Sequence, residues 1–266
     1  MIKEQRTLKL NGERSMGHGK VFLVGAGPGD YKLLTIRALE LLKKADVVIY
    51  DRLVSKSILK LIPKKAKKIY VGKKSGIYEL PQEKINELMI NLALDGKKVI
   101  RLKGGDPFLF GRGGEEAEAL SDNNIDFEVV PGITSALAAP AYAGIPLTHR
   151  KYSSSVAIVT GHQIEKSEKV INWSKIASSV DTIVILMGVG RLEAITKNLM
   201  EGGLSINTPV AIIERGTMKR QRSLIGKLGT ISEEVRKKNV KPPAVIVIGE
   251  VAELGRKLSW FKMPLH

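Results

Sequence analysis

A chain of 266 residues is long enough for one large or two modest α/β domains, and 43% hydrophobic residues suffice for a real core. The absence of cysteine excludes disulfides, thiolate nucleophiles and cysteine-based metal sites, and 5% aromatic residues argue against a stacking platform for single-stranded nucleic acid. A net charge of +16, from 43 basic and 27 acidic residues, favours anionic partners, with lysine runs such as PKKAKK and RKKNVK supplying part of it as plain solvated surface.

Residues 1–19 are polar, without the apolar segment of a signal peptide, and read as a flexible extension. From there the chain alternates. Apolar, β-branched runs predict strands at Val21–Val24, Val47–Tyr50, Lys68–Val71, Lys98–Leu102 and Phe127–Val130. Helical spacing between them predicts helices at Leu34–Ala45, Lys56–Leu61, Gln82–Asp95 and Gly114–Asn123. Such a series builds a mostly parallel sheet with helices on both faces. After a composition shift near Pro131–Gly132 comes a short helix in TSALAAPAYAG. Strands follow at Val156–Thr160, Thr182–Met187, Val210–Glu214, Arg222–Lys227 and Ala244–Ile248, with helices at Arg191–Glu201 and Ser232–Lys238. The RGTMKRQ link leaves no room for a helix, so its flanking strands form a hairpin and the second sheet is mixed. The expectation is an α/β chain of two domains, 20–131 and 132–266. The longest apolar runs, TIVILMGVG and AVIVIG, fall well short of the ~20 residues of a membrane helix. No membrane association and a cytoplasmic location are expected.

Ligands of open α/β sheets bind outside the carboxyl ends of the strands. GAGPGD follows the first strand, Asp51 begins the segment after the second, Lys73 follows the third, KGGDPF the fourth and PGITS the fifth. All the unusual residues therefore share one sheet edge. GAGPGD is not a dinucleotide fingerprint: Asp30 stands where the third glycine would be, and Pro28 removes a backbone N–H that a phosphate cradle needs. Gly104 and Gly105 permit close backbone approach, while Asp106 repels phosphate and suits a nucleoside or a cationic ligand; alternatively, it closes a turn before Pro107. Asp51 and Lys73, on neighbouring strands, form a candidate acid/base pair, or else a plain ion pair. The histidines at 18, 149, 162 and 266 lack metal-ligand spacing, so no metal is expected. No GxSxG elbow and no GxxxxGK[ST] loop is present.

The stretches VGAGPGD, LLTIRALELLKKADVVIYDRLVS, VGKKSG, RLKGGDPFLFGRGGEEAEAL and VVPGITSALAAPAYAGIPLTHR, in this order, resemble the tetrapyrrole methylases. The likeness runs from about residue 20 to the C-terminus and is greatest to the members that methylate uroporphyrinogen III on carbon. It implies two α/β domains with a cleft between them, usually in a homodimer, with S-adenosylmethionine bound in that cleft and S-adenosylhomocysteine released. It also implies transfer of two methyl groups, to C-2 and C-7, giving precorrin-2 for sirohaem and cobalamin. Carried over residue by residue, it makes Asp51 the proton acceptor and Lys73 the donor. It lines the methyl-donor site with Pro28, Gly104, Gly105, Asp106, Leu109, Thr134, Ser135, Met187, Gly216 and Ala244. Leu109 and Ser135 depart from the commoner isoleucine and alanine. The acidic tetrapyrrole needs cations, for which Arg52, Arg112, His149, Arg150 and Lys151 are candidates. A methylase of a later corrin precursor, an RNA methyltransferase on the same fold and a non-enzymatic donor sensor are the alternatives. The absence of any recognisable RNA-binding module points away from nucleic acid.

Overall fold

The computed structural model describes residues 19–72, 80–162 and 171–261. Two five-stranded sheets organise them. The first has order β3-β2-β4-β1-β5, from β1 (Val21–Gly25), β2 (Val47–Tyr50), β3 (Lys67–Tyr70), β4 (Val99–Lys103) and β5 (Phe127–Val130). Every pairing in it is parallel. The second has order β6-β7-β10-β8-β9, from β6 (Val156–Thr160), β7 (Thr182–Leu186), β8 (Pro209–Glu214), β9 (Arg222–Lys227) and β10 (Ala244–Ile248). Only β6 and β7 are parallel there, and β8 and β9 form the expected antiparallel hairpin.

Strand alternation assigns alternate residues of the first sheet to opposite faces. Phe22, Val24, Val48, Ile100 and Leu102 pack under α1 (Ile36–Lys43) and α2 (Lys56–Leu59), whereas Val21, Leu23, Val47, Ile49 and Val99 pack under α3 (Gln82–Leu94) and α4 (Gly113–Asp122). The second sheet is likewise covered on both faces. One side carries α6 (Trp173–Ser179), α7 (Leu192–Glu201) and α8 (Ile231–Lys237), and the other carries α5 (Ser135–Tyr142). A last short helix, α9 (Leu254–Leu258), follows β10. The helix expected from Leu34 begins instead at Ile36. Leu34 and Thr35 are extended, and the Thr35 hydroxyl accepts the Ala38 N–H at 3.1 Å, so the chain caps the helix there.

The helices after β1 and β2 lie on one face and those after β3 and β4 on the other. The reversal falls between the adjacent strands β1 and β4, and at such a point the carboxyl edge opens to ligands. Here the loops after β1 and β4 meet. Gly27 N–H donates to Gly105 O at 3.1 Å and Gly105 N–H to Gly27 O at 2.8 Å, and both glycines have positive φ, +72° and +69°. Gly25, beneath them, leaves no room for a side chain: a Cβ would lie 2.5 Å from Gly132 Cα and 2.7 Å from Gly105 O.

One face of β4 breaks the apolar rule. Beyond Val99, Arg101 and Lys103 occupy positions aimed at α3 and α4, and both are buried. Glu116 of α4 is fully buried between them; its Oε1 accepts from Arg101 Nε at 2.9 Å, from Lys103 Nζ at 2.8 Å and from Gln82 Nε2 at 3.2 Å. Charges can be buried where they are paired and hydrogen-bonded in this way. Burial, and then the Arg101 charge, hold the Lys103 ammonium below its ordinary value of 10.5, while Glu116 pulls it back up.

Two outcomes are expected. Gly25→Ala forces backbone apart where the strands and loops converge and lowers unfolding free energy by about 2 kcal/mol, read from urea melts. Lys103 binds its proton more weakly folded than unfolded, so the cost of burying the charged form is full at neutral pH and disappears as pH rises toward the unfolded value. Relative to Lys103→Met, the parent therefore gains unfolding free energy as pH rises from neutral toward the ordinary lysine value of 10.5; parallel melts over that rise check the sign.

Candidate active site at the carboxyl edge of the first sheet

Most backbone donors of the GAGPGD loop are committed. Ala26 N–H bonds Lys103 O at 2.7 Å, Gly27 N–H bonds Gly105, Pro28 has none, and Asp30 N–H bonds Thr217 Oγ1 at 3.2 Å. A phosphate cradle needs such groups unpaired and convergent, so the loop is not one. Asp30 instead joins the two halves of the molecule. Its Oδ2 accepts from Tyr142 Oη of α5 at 3.3 Å, and its backbone reaches Thr217 in the loop between β8 and β9. Burial and the Asp30 charge raise the Tyr142 phenol above its usual value, which keeps it a donor.

Asp106 is also committed to its surroundings. Its Oδ1 accepts from Phe108 N–H at 2.8 Å and its Oδ2 from Gly132 N–H at 3.0 Å, so the carboxylate closes the turn before Pro107 and ties it to the segment after β5. Each oxygen retains a second lone pair. Gly104 approaches Leu53 so closely that a Cβ would meet the Leu53 Cβ at 2.6 Å. Gly105 faces the start of α5, where its Cβ direction points to Thr134 Cα at 3.8 Å and Ser135 N at 3.9 Å. Thr134 caps that helix by accepting from Ala136 N–H at 3.3 Å. Pro28 and Leu109 are half-buried in the two loops.

The second half contributes residues in unusual backbone conformations. Met187, just after β7, has φ +56° and is 55% exposed. Arg215 and Thr217 have φ +51° and +68°, which for a β-branched threonine costs on the order of 1–3 kcal/mol. Thr217 is held there by its N–H to Gln221 Oε1 at 2.7 Å and by the bond from Asp30. Gly216 lies against Ala139 of α5, and Ala244 opens β10 opposite Glu214.

Asp51, at the end of β2, is partly exposed. Its Oδ1 accepts from Leu53 N–H at 3.0 Å, and its Oδ2 lies 3.7 Å from Nη2 of the buried Arg101. Lys73, its expected partner, lies outside the described residues. Arg101, Lys103 and Glu116 are what sequence reasoning missed; the available signal was two cations on one face of a strand central to a parallel sheet.

The candidate cations are exposed. Arg52 follows Asp51 directly. Arg112 precedes α4 in a left-handed conformation with φ +59°, and its guanidinium is shared with Glu115, Nε to Oε1 at 3.0 Å and Nη2 to Oε2 at 2.6 Å. This bond holds Glu115 below the usual carboxylate range. His149, Arg150 and Lys151 form a separate turn after α5: His149 N–H donates to Ser153 O at 2.8 Å, and the His149 and Tyr152 rings lie 4.9 Å apart. Among the described residues no group of His, Asp and Glu is arranged to hold a metal ion, and no helix is long and apolar enough to cross a membrane.

Comparison with known proteins bears on this arrangement. The family model described as "Tetrapyrrole (Corrin/Porphyrin) Methylases" matches residues 20–232. A uroporphyrinogen-III C-methyltransferase of Methanocaldococcus jannaschii is 54% identical over 238 residues, 89% of this chain and 98% of that one. A siroheme synthase of Pseudoalteromonas atlantica is 50% identical over 94% of this chain but only 54% of its own length, so the chain spans about half of that relative. The crystal structure of uroporphyrin-III C-methyl transferase from Thermus thermophilus complexed with S-adenyl homocysteine has a TM-score of 0.76 at 41% identity, covering 89% of this chain and 94% of that one. With the family model matched from residue 20 to 232 and these relatives alike over nearly the whole chain, the protein belongs to the tetrapyrrole methylases.

Proposed function

We propose that the protein transfers methyl groups from S-adenosylmethionine to C-2 and C-7 of uroporphyrinogen III, giving precorrin-2, on the way to sirohaem or cobalamin. The observation that carries this reading is the end-to-end likeness to the Methanocaldococcus methyltransferase. The site chemistry agrees. A donor with a nucleoside, an amino acid and a sulfonium but no phosphate fits loops whose glycines allow close approach while the Gly27 and Gly105 N–H groups are already bonded to each other's carbonyls. Pro28, Gly104, Gly105, Asp106, Leu109, Thr134, Ser135, Met187, Gly216 and Ala244 would hold it.

The sulfonium supplies an already activated methyl, so the chain's own task is placement and proton handling. Asp51 would stabilise positive charge developing on the macrocycle or accept its proton, with Lys73 as the proton donor. Arg52, Arg112, His149, Arg150 and Lys151 would meet the substrate carboxylates. For Arg112, substrate would have to share or displace Glu115. The division into 20–131 and 132–266 is supported by sheet membership, since β1 to β5 precede Gly132 and β6 to β10 follow it. A homodimer in the cytoplasm is part of the same reading. An open apolar groove of about 720 Å³, lined by Leu137, Ile145, Val156, Ile158, Leu258 and Trp260, is a surface of the kind a subunit contact buries.

Incubation with uroporphyrinogen III and labelled S-adenosylmethionine should incorporate two methyl groups per macrocycle. Asp51→Ala should lower kcat on the order of 10²- to 10⁴-fold while still binding the donor. Methylation of RNA with uroporphyrinogen III left untouched would refute the reading, and undiminished turnover by Asp51→Ala would refute the role of Asp51.

A further inference from the structure

The buried charges on β4 lie directly behind the residue proposed for proton handling. Register pairs Ile49 with Arg101 and Tyr50 with Leu102, so Asp51 emerges at the rim beside the end of β4. Arg101 runs beneath it: its side chain is 5% exposed against 27% for Asp51. The guanidinium is gripped from the interior at Nε by Glu116 and turns Nη2 toward Asp51 Oδ2, 3.7 Å away. The other oxygen, Oδ1, is fixed by the Leu53 N–H. Both carboxylate oxygens thus have a defined neighbour, one from the local turn and one from the core.

Charge balance points the same way. Arg101 and Lys103 bring two positive charges to a buried site where Glu116 supplies one negative. Asp51 is the carboxylate next within reach, and its charge is felt at Lys103 as well as at Arg101. An exposed ion pair would contribute little, because both partners would be solvated and mobile. Here the cation is nearly dry and bonded to Glu116 from the interior, so its direction is set by the fold before any ligand arrives. Arg101 Nη1 and Glu116 Oε2 find no hydrogen-bond partner among the described residues, so the Glu116 contact at Nε and the Asp51 contact at Nη2 carry the orientation of the guanidinium.

We propose that Arg101 is a positioning residue for Asp51, held in turn by Glu116, so that α4 sets the geometry of the reactive rim through a buried relay across β4. This inference rests on the proposed role of Asp51.

A double-mutant cycle on the full chain tests it, with methyl transfer, donor affinity by calorimetry and thermal stability measured for Asp51→Asn, Arg101→Gln and the pair. Arg101→Gln should lower kcat on the order of 10- to 100-fold with donor affinity unchanged, and should cause no further loss once Asp51 is Asn. Equal loss of kcat in both backgrounds would overturn the proposal and leave Arg101 a structural residue. Parental turnover by Asp51→Asn would instead overturn the role of Asp51, a result distinct from the first. Should Arg101→Gln not fold, Arg101→Lys keeps a cation opposite Glu116 and serves in its place. A smaller loss in the parent and none in the Asp51→Asn background is then expected, and equal loss in both overturns the proposal.

Discussion

A carboxylate with no access to water sits between the first sheet and its helices, and much of the rim's geometry depends on it. Three donors converge on one oxygen of Glu116, which offsets the cost of burying it. Each donor comes from a different position: Gln82 begins α3, and Arg101 and Lys103 lie on the central strand β4. The contact consequently aligns α3, α4 and β4 with one another more specifically than apolar packing would, since apolar contacts are non-directional. The loop after β4 leaves directly from Lys103, so its starting direction is set by the same cluster.

From that base the loops are assembled by backbone bonding. The Gly27–Gly105 exchange joins the segments after β1 and β4, and Asp106 adds the segment after β5 through Gly132. Asp30 carries the connection to the second half through Tyr142 and Thr217. The edge of the first sheet thus behaves as a bonded framework, and Thr217 is kept in its strained conformation by that framework. An aromatic cluster of Tyr142, Trp260 and Phe261 backs the same junction, and Trp260 Nε1 donates to Ala141 O at 2.8 Å.

The strands were legible in the sequence because β-branched runs end at glycine or charge. The gathering of the candidate residues at one sheet edge was legible because they follow strands of a series that folds parallel, and among the described residues those strands are parallel. Helix α1 begins late because Thr35, a capping residue, outweighed the apolar Leu34 beside it. The two possible roles of Asp106 could not be ranked from its spacing, since the bond to Gly132 depends on the pairing of β1 with β5. Arg101 and Lys103 were overlooked for a related reason. Basic residues beside a glycine loop read as solvated until β4 is known to lie between β2 and β1 with α4 over it.

The exchange of bonds between Gly27 and Gly105 has a consequence for selectivity. A donor built on adenosine competes in any cell with far commoner molecules that share its base and ribose but end in phosphates. With the donor at these loops, as proposed above, admitting one of those would oblige Gly27 and Gly105 to break their mutual hydrogen bonds or leave charged oxygens unsolvated, and either is unfavourable. On that reading the backbone shares the rejection with the Asp106 carboxylate. The backbone's share depends on the two glycines, whose positive φ lets the chain make that exchange.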